Sequence, residues 1–249
     1  SITVETDNEI KNQFGGVFFG TNIKLDSKNG IIVNGSRYPY KHDSTDASLI
    51  LLDANTGIEY GTHKILPQVV NPTKVSTLAA NIIADNIEIS AKAFENINTY
   101  YVVKQLNESW DSGVPFYSNL ISQVSVVAES KLSIKTSEYI LNSSAIMGLG
   151  GSGKLFFESP GFYNERYLVK ATLEEFSEGN YTDGTQSGFV TNLYAYSPPG
   201  IFYSFGESNF KLADRLINNA AFFEAFGTVN FDTKDIKSIG IEMSENTLN

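Results

Sequence analysis

The feature that most restricts how this chain can fold is the shortness of its regular stretches. Lys131-Leu-Ser-Ile-Lys-Thr136 alternates strictly between polar and apolar, with Leu132 and Ile134 on one face. Tyr167, Val169, Ala171 and Leu173 alternate in the same way with Leu168, Lys170 and Thr172. A period of two residues is the pattern of a half-buried strand. Turn-formers separate such stretches, as at Asn34-Gly35, Asn55-Thr-Gly57 and Pro198-Pro-Gly200. Apolar runs such as Leu49-Ile-Leu-Leu52 fall far short of the roughly 18 residues a bilayer helix requires, so no membrane insertion is expected. These observations predict a mainly β protein.

Taken in order, the first region reads as a β-meander of short strands. Asn22–Asp26, Ile31–Val33, Arg37–Tyr40 and Leu49–Asp53 are its pieces, and Asn34-Gly35 has the form of a hairpin turn because both residues tolerate positive φ. Over 74–98 two periods compete. Val75, Leu78, Ala79, Ile82 and Ile83 share one helical face, and Ile83, Ile87, Phe94, Ile97 and Tyr101 extend it as a heptad-like seam, which predicts a helical or coiled linker. Asn86-Ile-Glu-Ile-Ser90 alternates instead, so a strand stays open there. The turn-rich Trp110-Asp-Ser-Gly-Val-Pro115 divides the chain into an assembly or attachment region, 1–112, and a second domain, 113–249.

That second domain reads as a β-sandwich or jelly-roll. Residues 120–127 and 131–136 form a hairpin, with further strands at 167–173, 189–196, 201–205, 228–231 and 236–243. Between two of these lies a polar loop, 174–188, of a length usually associated with function. One amphipathic helix is expected over 208–226: Ser208 is an N-cap, Gly227 a C′ glycine, and Phe210, Ala213, Leu216, Ile217, Ala220 and Phe223 its apolar stripe.

Composition narrows the function. Net charge is −10 with no block of Lys or Arg, which excludes a phosphate-neutralising nucleic-acid surface. Cysteine is absent, removing disulfides and zinc-thiolate sites, and two histidines, His42 and His63, cannot supply a three-histidine metal site. The polar, acidic opening Ser1–Glu9 does not have the form of a secretory signal.

Gly148-Leu-Gly-Gly-Ser-Gly-Lys154 matches the phosphate-loop pattern up to its last letter. Leu155 stands where magnesium chemistry needs Ser or Thr, and Pro160-Gly161 denies a long helix afterwards, so a hinge or surface loop without phosphate is expected. His42-Asp43-Ser44 are neighbours in sequence, whereas a catalytic triad needs convergence in space. Glu174, Glu175, Glu178 and Asp183 crowd the polar loop, near Tyr181, Tyr194 and Tyr196. Paired carboxylates in an aromatic groove are the equipment of a glycosidase, and oxygen-rich loops bind calcium. Spacing alone does not place these carboxylates opposite one another, so no catalytic, cofactor or metal residue is assigned. Tyr163, Glu174, Glu175, Tyr181, Asp183, Tyr194 and Tyr196 are instead the candidate ligand or partner surface, since tyrosine suits contact with sugars and proteins.

Ala84-Asp-Asn-Ile-Glu-Ile-Ser90 within 75–98, together with Asn22-Ile-Lys-Leu-Asp26 and Gly30-Ile-Ile-Val-Asn-Gly35 within 17–35, resembles segments of tailed-phage fibre and tail-tip proteins. The resemblance implies a non-enzymatic virion structural protein of an extracellular particle, with a β-rich head. It implies a homo-oligomer, a trimer among the options, with other virion proteins as partners and a cell-surface glycan as a target. The alternatives are a carbohydrate-binding module or lectin, and a β-sandwich glycoside hydrolase using Glu174 and Glu175.

Overall fold

A computed structural model describes residues 1–13, 15–35, 40–42, 49–51, 79–98, 102–106, 123–167, 171–178 and 188–240. Its main strands pair in parallel, and their registers stack into three faces. The first face runs 2–6, 23–27, 87–91, 132–136, 155–159, 208–212 and 229–232. The second runs 10–12, 32–34, 94–96, 140–142, 162–164, 216–218 and 236–238. The third runs 17–20, 81–84, 125–128, 146–149, 201–204 and 222–225. Each coil visits the three faces in turn, so the chain winds as a parallel β-helix of seven coils among the described residues. At the usual strand spacing of about 4.8 Å, seven coils make a shaft about 29 Å long.

Alternation drives the winding. On each strand every second side chain faces inward, and the inward positions of successive coils fall in columns. Ile23, Ile87, Leu132 and Leu155 form one column, and Ile10, Ile32, Phe94, Ile140, Phe162 and Leu216 another, all buried. Toward the C-terminal coils the filling becomes aromatic: Phe157, Phe162, Phe202 and Phe210 pack at centroid separations of 5.2 to 6.0 Å. The outer side of the first face is charged, with Glu158 between Lys135 (3.2 Å) and Lys211 (3.4 Å) of the coils on either side.

Several sequence expectations change. Residues 208–226 form strands Glu207–Asn219 and Phe222–Ala225, not a helix. Ser208, Phe210 and Leu212 face inward at period two; the register then shifts at the corner between faces, where Ser159 meets Leu212 but Gly161 meets Arg215, before Leu216 turns inward. Two strands joined by a corner mimic helical spacing. The linker helix gives way for the same reason: Asn81–Ile97 is one long strand, with Ile82 buried and its neighbour Ile83 37% exposed, and a register shift between Ala84 and Asn86. Residues 74–78 lie outside the described part.

The turn expected at 128–130 lies within the single strand Ser125–Ser143, and Asn34-Gly35 ends the strand Ile31–Gly35 with Asn34 wholly buried. The described strands of 123–240 pair mostly in parallel around a winding core, in place of the antiparallel layers of a sandwich or jelly-roll. Among the described residues, antiparallel pairing is confined to Tyr40–His42 with Leu49–Leu51, within the region expected as a meander, and to a three-stranded sheet described below. The break at 110–115 lies outside the described residues; the shaft strands on either side of it, Asn81–Ile97 and Ser125–Ser143, pair with each other.

Candidate functional site at the insertion corner

Where nothing intervenes, equivalent residues of adjacent coils are about one short turn of helix apart: Ile2 with Ile23, Leu132 with Leu155, Leu216 with Ile236. Three coils depart from this, and all three do so at the corner between the second and third faces. The excursions are 36–80, 98–124 and 166–200. The same corner takes only Ser144-Ala145 in the fourth coil and Ala220-Ala221 in the sixth, with Ser144 and Ala220 both at φ 50°.

What holds this corner together is a ladder of asparagines at one second-face position. Asn12, Asn34, Asn96, Asn142, Asn164 and Asn218 are stacked, and each Nδ2 donates to the next Oδ1 at 2.7 to 2.8 Å. The same amides donate across the corner to main-chain carbonyls at the start of the third face: Asn34 to Ala80 and Ser125, Asn96 to Ile146, Asn142 to Ala145 and Ile201, Asn164 to Phe222. Second and third faces are thus fastened by side chains, whether two residues or forty lie between them. Closing a longer loop adds only about 0.6 kcal/mol per doubling of length. A corner fastened this way tolerates insertions.

Two of the insertions meet. Gly188–Tyr196, from the third, pairs antiparallel with both Ala171–Glu178 and Val102–Leu106, the latter from the second. In this sheet Glu174 is opposite Asn192, Glu175 opposite Thr191, Tyr194 opposite Thr172 and Lys104, and Tyr196 opposite Val102. Four of the seven candidate surface residues therefore share one sheet. Residues 174–178 are strand where a loop was expected. Tyr181 and Asp183 lie outside the described residues. Tyr163 is placed elsewhere, on the second face of the helix itself between Leu141 and Ile217, its ring over Gly161.

At the roots of the insertions lies a cavity of about 450 Å³, lined by Asn98, Gln123, Val124, Ser144, Arg166 and Pro198 among others. Arg166 went unnoticed in the sequence, where nothing distinguishes it from a surface arginine. Its Nε donates to Ala220 O (2.7 Å) and its Nη1 to Ser197 O (2.8 Å), tying the base of the third insertion to the turn of the next coil. Burial holds this guanidinium below its usual pKa, and burial likewise raises the carboxyl of Glu165 beside it. The cavity contains no nucleophile–base pair among its lining residues. Among the described residues no cluster of His, Cys, Asp or Glu is arranged to hold a metal ion.

The glycine stretch takes another role. Ile146–Leu149 is a third-face strand, 150–153 is the corner, and Lys154–Glu165 is the next strand, so no helix follows the glycines as phosphate binding requires. Instead of a hinge between halves it is one corner of a continuous coil. A Cβ on Gly153 would come 1.7 Å from Ser130 O, and one on Gly206, the equivalent position one coil on, 2.1 Å from Gly153 O. Only glycine fits where successive corners stack so closely. Lys154 is exposed and pairs with Glu207 at 3.6 Å. No family model, curated protein or solved structure matches the chain.

Proposed function

We propose that the chain is a non-enzymatic structural component of a virion, of the tail or fibre kind, in which the β-helix is a rigid shaft and the insertions are the contact surface. The observation that carries this reading is that all three insertions leave the same corner while the coils beneath them keep register. An enzyme on such a shaft needs side chains converging on one reacting centre. Two of the insertions instead pair with one another into a separate sheet, which suits display. The phage-like segments 17–35 and 75–98 agree with this assignment, and the strands described within them, Val17–Ser27, Ile31–Gly35 and Asn81–Ile97, belong to the shaft. Partners on this reading are other virion proteins, further copies of the chain and a cell-surface glycan touched by the sheet bearing Tyr194 and Tyr196.

The test replaces 166–200 with the Ser-Ala turn that serves the preceding coil. The trimmed protein is expected to keep its thermal unfolding transition within a few degrees and to lose its signal on host cells and glycan arrays. Unfolding of the trimmed protein would sink the shaft reading, and undiminished binding would sink the display reading.

A further inference from the structure

The cavity at the roots of the insertions has a wall built from the shaft. Ile146, Ile201 and Phe222 line it, and they are matched positions at the start of the third face in the fourth, fifth and sixth coils. The residues that follow them, Met147, Phe202 and Phe223, turn into the core, so these three project outward. In the second and third coils the same column holds Asn81 and Ser125. The outer column therefore becomes apolar where the third insertion leaves the shaft. At about 4.8 Å per strand, the three side chains make an apolar strip about 10 Å long.

Among the described residues, one charged side chain lines the same cavity. Arg166 is half-buried, and its Nε and Nη1 each donate to a neutral carbonyl, Ala220 O and Ser197 O. One N–H on Nη1 and both on Nη2 have no partner among the described residues, and no carboxylate there pairs with the guanidinium. A cation taken from water without a counter-charge is costly, and a bound anion offsets that cost.

Size and charge select the anion. A volume of about 450 Å³ is that of a small-molecule site. One guanidinium with parallel N–H groups matches the two oxygens of a single carboxylate. A phosphate dianion would bring two charges to one cation, in a chain of net charge −10. A sugar would set hydroxyls against Ile146, Ile201 and Phe222, where they lose water and gain no partner.

We propose that this cavity binds a small organic acid, one carboxylate on an apolar body, with Arg166 holding the carboxylate and the Ile146–Ile201–Phe222 strip holding the body. The site does not depend on the virion reading. The probes are 3-phenylpropionate and its amide, 3-phenylpropionamide, which share a shape and differ in charge. Titrated against the full chain at pH 7 by ligand-observed NMR, the acid should bind about tenfold tighter than the amide, because hydrogen bonds to a charged group are the stronger. Arg166→Gln should bind the two alike. Ile201→Asp keeps Arg166 and its two carbonyl partners but sets a carboxylate in the wall, and should weaken binding of the acid about tenfold. No binding of the acid by the parent, equal binding of acid and amide by the parent, or undiminished binding of the acid by Ile201→Asp would overturn the proposal.

Discussion

Replacing Asn142 with alanine tests the ladder that fastens the insertion corner. Asn142 is fully buried; its Oδ1 accepts from Asn96 Nδ2 at 2.8 Å, and its Nδ2 donates to Asn164 Oδ1 at 2.8 Å and to Ala145 O and Ile201 O. In Asn142→Ala the Ala145 carbonyl keeps the N–H of Ile201, 2.8 Å away, and suffers little. Two buried groups have no such replacement: one N–H of Asn96 and the Oδ1 of Asn164. At about 1–3 kcal/mol for each orphaned buried group, the loss is about 2–6 kcal/mol. Asn142→Asp should be no milder, because a carboxylate has no hydrogen to donate to Asn164 Oδ1. The comparison is Asn230→Ala, which removes an exposed amide donating to Asn209 Oδ1 at 2.9 Å and should change stability by about 0.5 kcal/mol or less. Equilibrium urea unfolding measures both, with the slope checked because stacked coils need not unfold as one unit. An Asn142→Ala protein as stable as Asn230→Ala would refute the claim that the amides hold the corner.

Two further outcomes follow from the core and from titration. Phe210→Ala removes a buried ring packed against Phe157, Phe202 and Phe231 and should destabilise by about 3–5 kcal/mol, while Phe226→Ala, exposed and stacked on Phe205, should stay under about 1 kcal/mol; equal midpoints in urea would contradict the aromatic core. Burial raises the Glu165 carboxyl above its usual pKa of 4.5, so the folded state binds this proton more tightly than the unfolded chain, and the group's stabilisation is complete in acid and lost as pH rises through the folded value. Glu165→Gln should therefore melt higher than the parent at pH 7 and alike near pH 4, and a difference of the opposite sign would show that the carboxylate is stabilised in place.

The sequence showed the strands more clearly than their arrangement. Alternation at Lys131–Thr136 marks a strand directly, and the structure has one there. The winding stayed hidden because the repeat is interrupted: Leu132 and Leu155 lie one coil apart in sequence, but between Val17 and Asn81, equally neighbours in space, an insertion intervenes. With three coils stretched this way no fixed period survives to be counted. Where a corner fell between two alternating runs, as between Leu212 and Leu216, the spacing imitated a helix. The ladder had a readable signal, an Asn two places after a large apolar residue in Ile10-Lys-Asn12, Ile32-Val-Asn34, Phe94-Glu-Asn96, Ile140-Leu-Asn142, Phe162-Tyr-Asn164 and Leu216-Ile-Asn218, but variable spacing disguised it. Of the candidate surface, Glu174, Glu175, Tyr194 and Tyr196 do fall in one sheet, though the sequence could not show that Val102–Leu106 joins them.

Why insertions gather at one corner follows from how each corner is closed. Between the third and first faces, Gly153 and Gly206 stack so tightly that even a methyl group has no room, and an added segment would have to force successive coils apart. Between the first and second faces of the third to sixth coils the strand continues through with only a small register shift, as at Ser159 to Gly161. The remaining corner is closed by a column of stacked amides. There the amides of Asn34, Asn96 and Asn164 reach carbonyls on the third face directly, so the main chain between is released from structural duty and free to vary in length. A shaft built this way separates the demands on its sequence: the asparagine column, the apolar columns and the glycine corner preserve the coil, and the insertions answer to whatever they touch. The two coils that keep the minimal turn, at Ser144-Ala145 and Ala220-Ala221, then bracket the third insertion along the shaft, so its length varies between two coils whose own corners stay short.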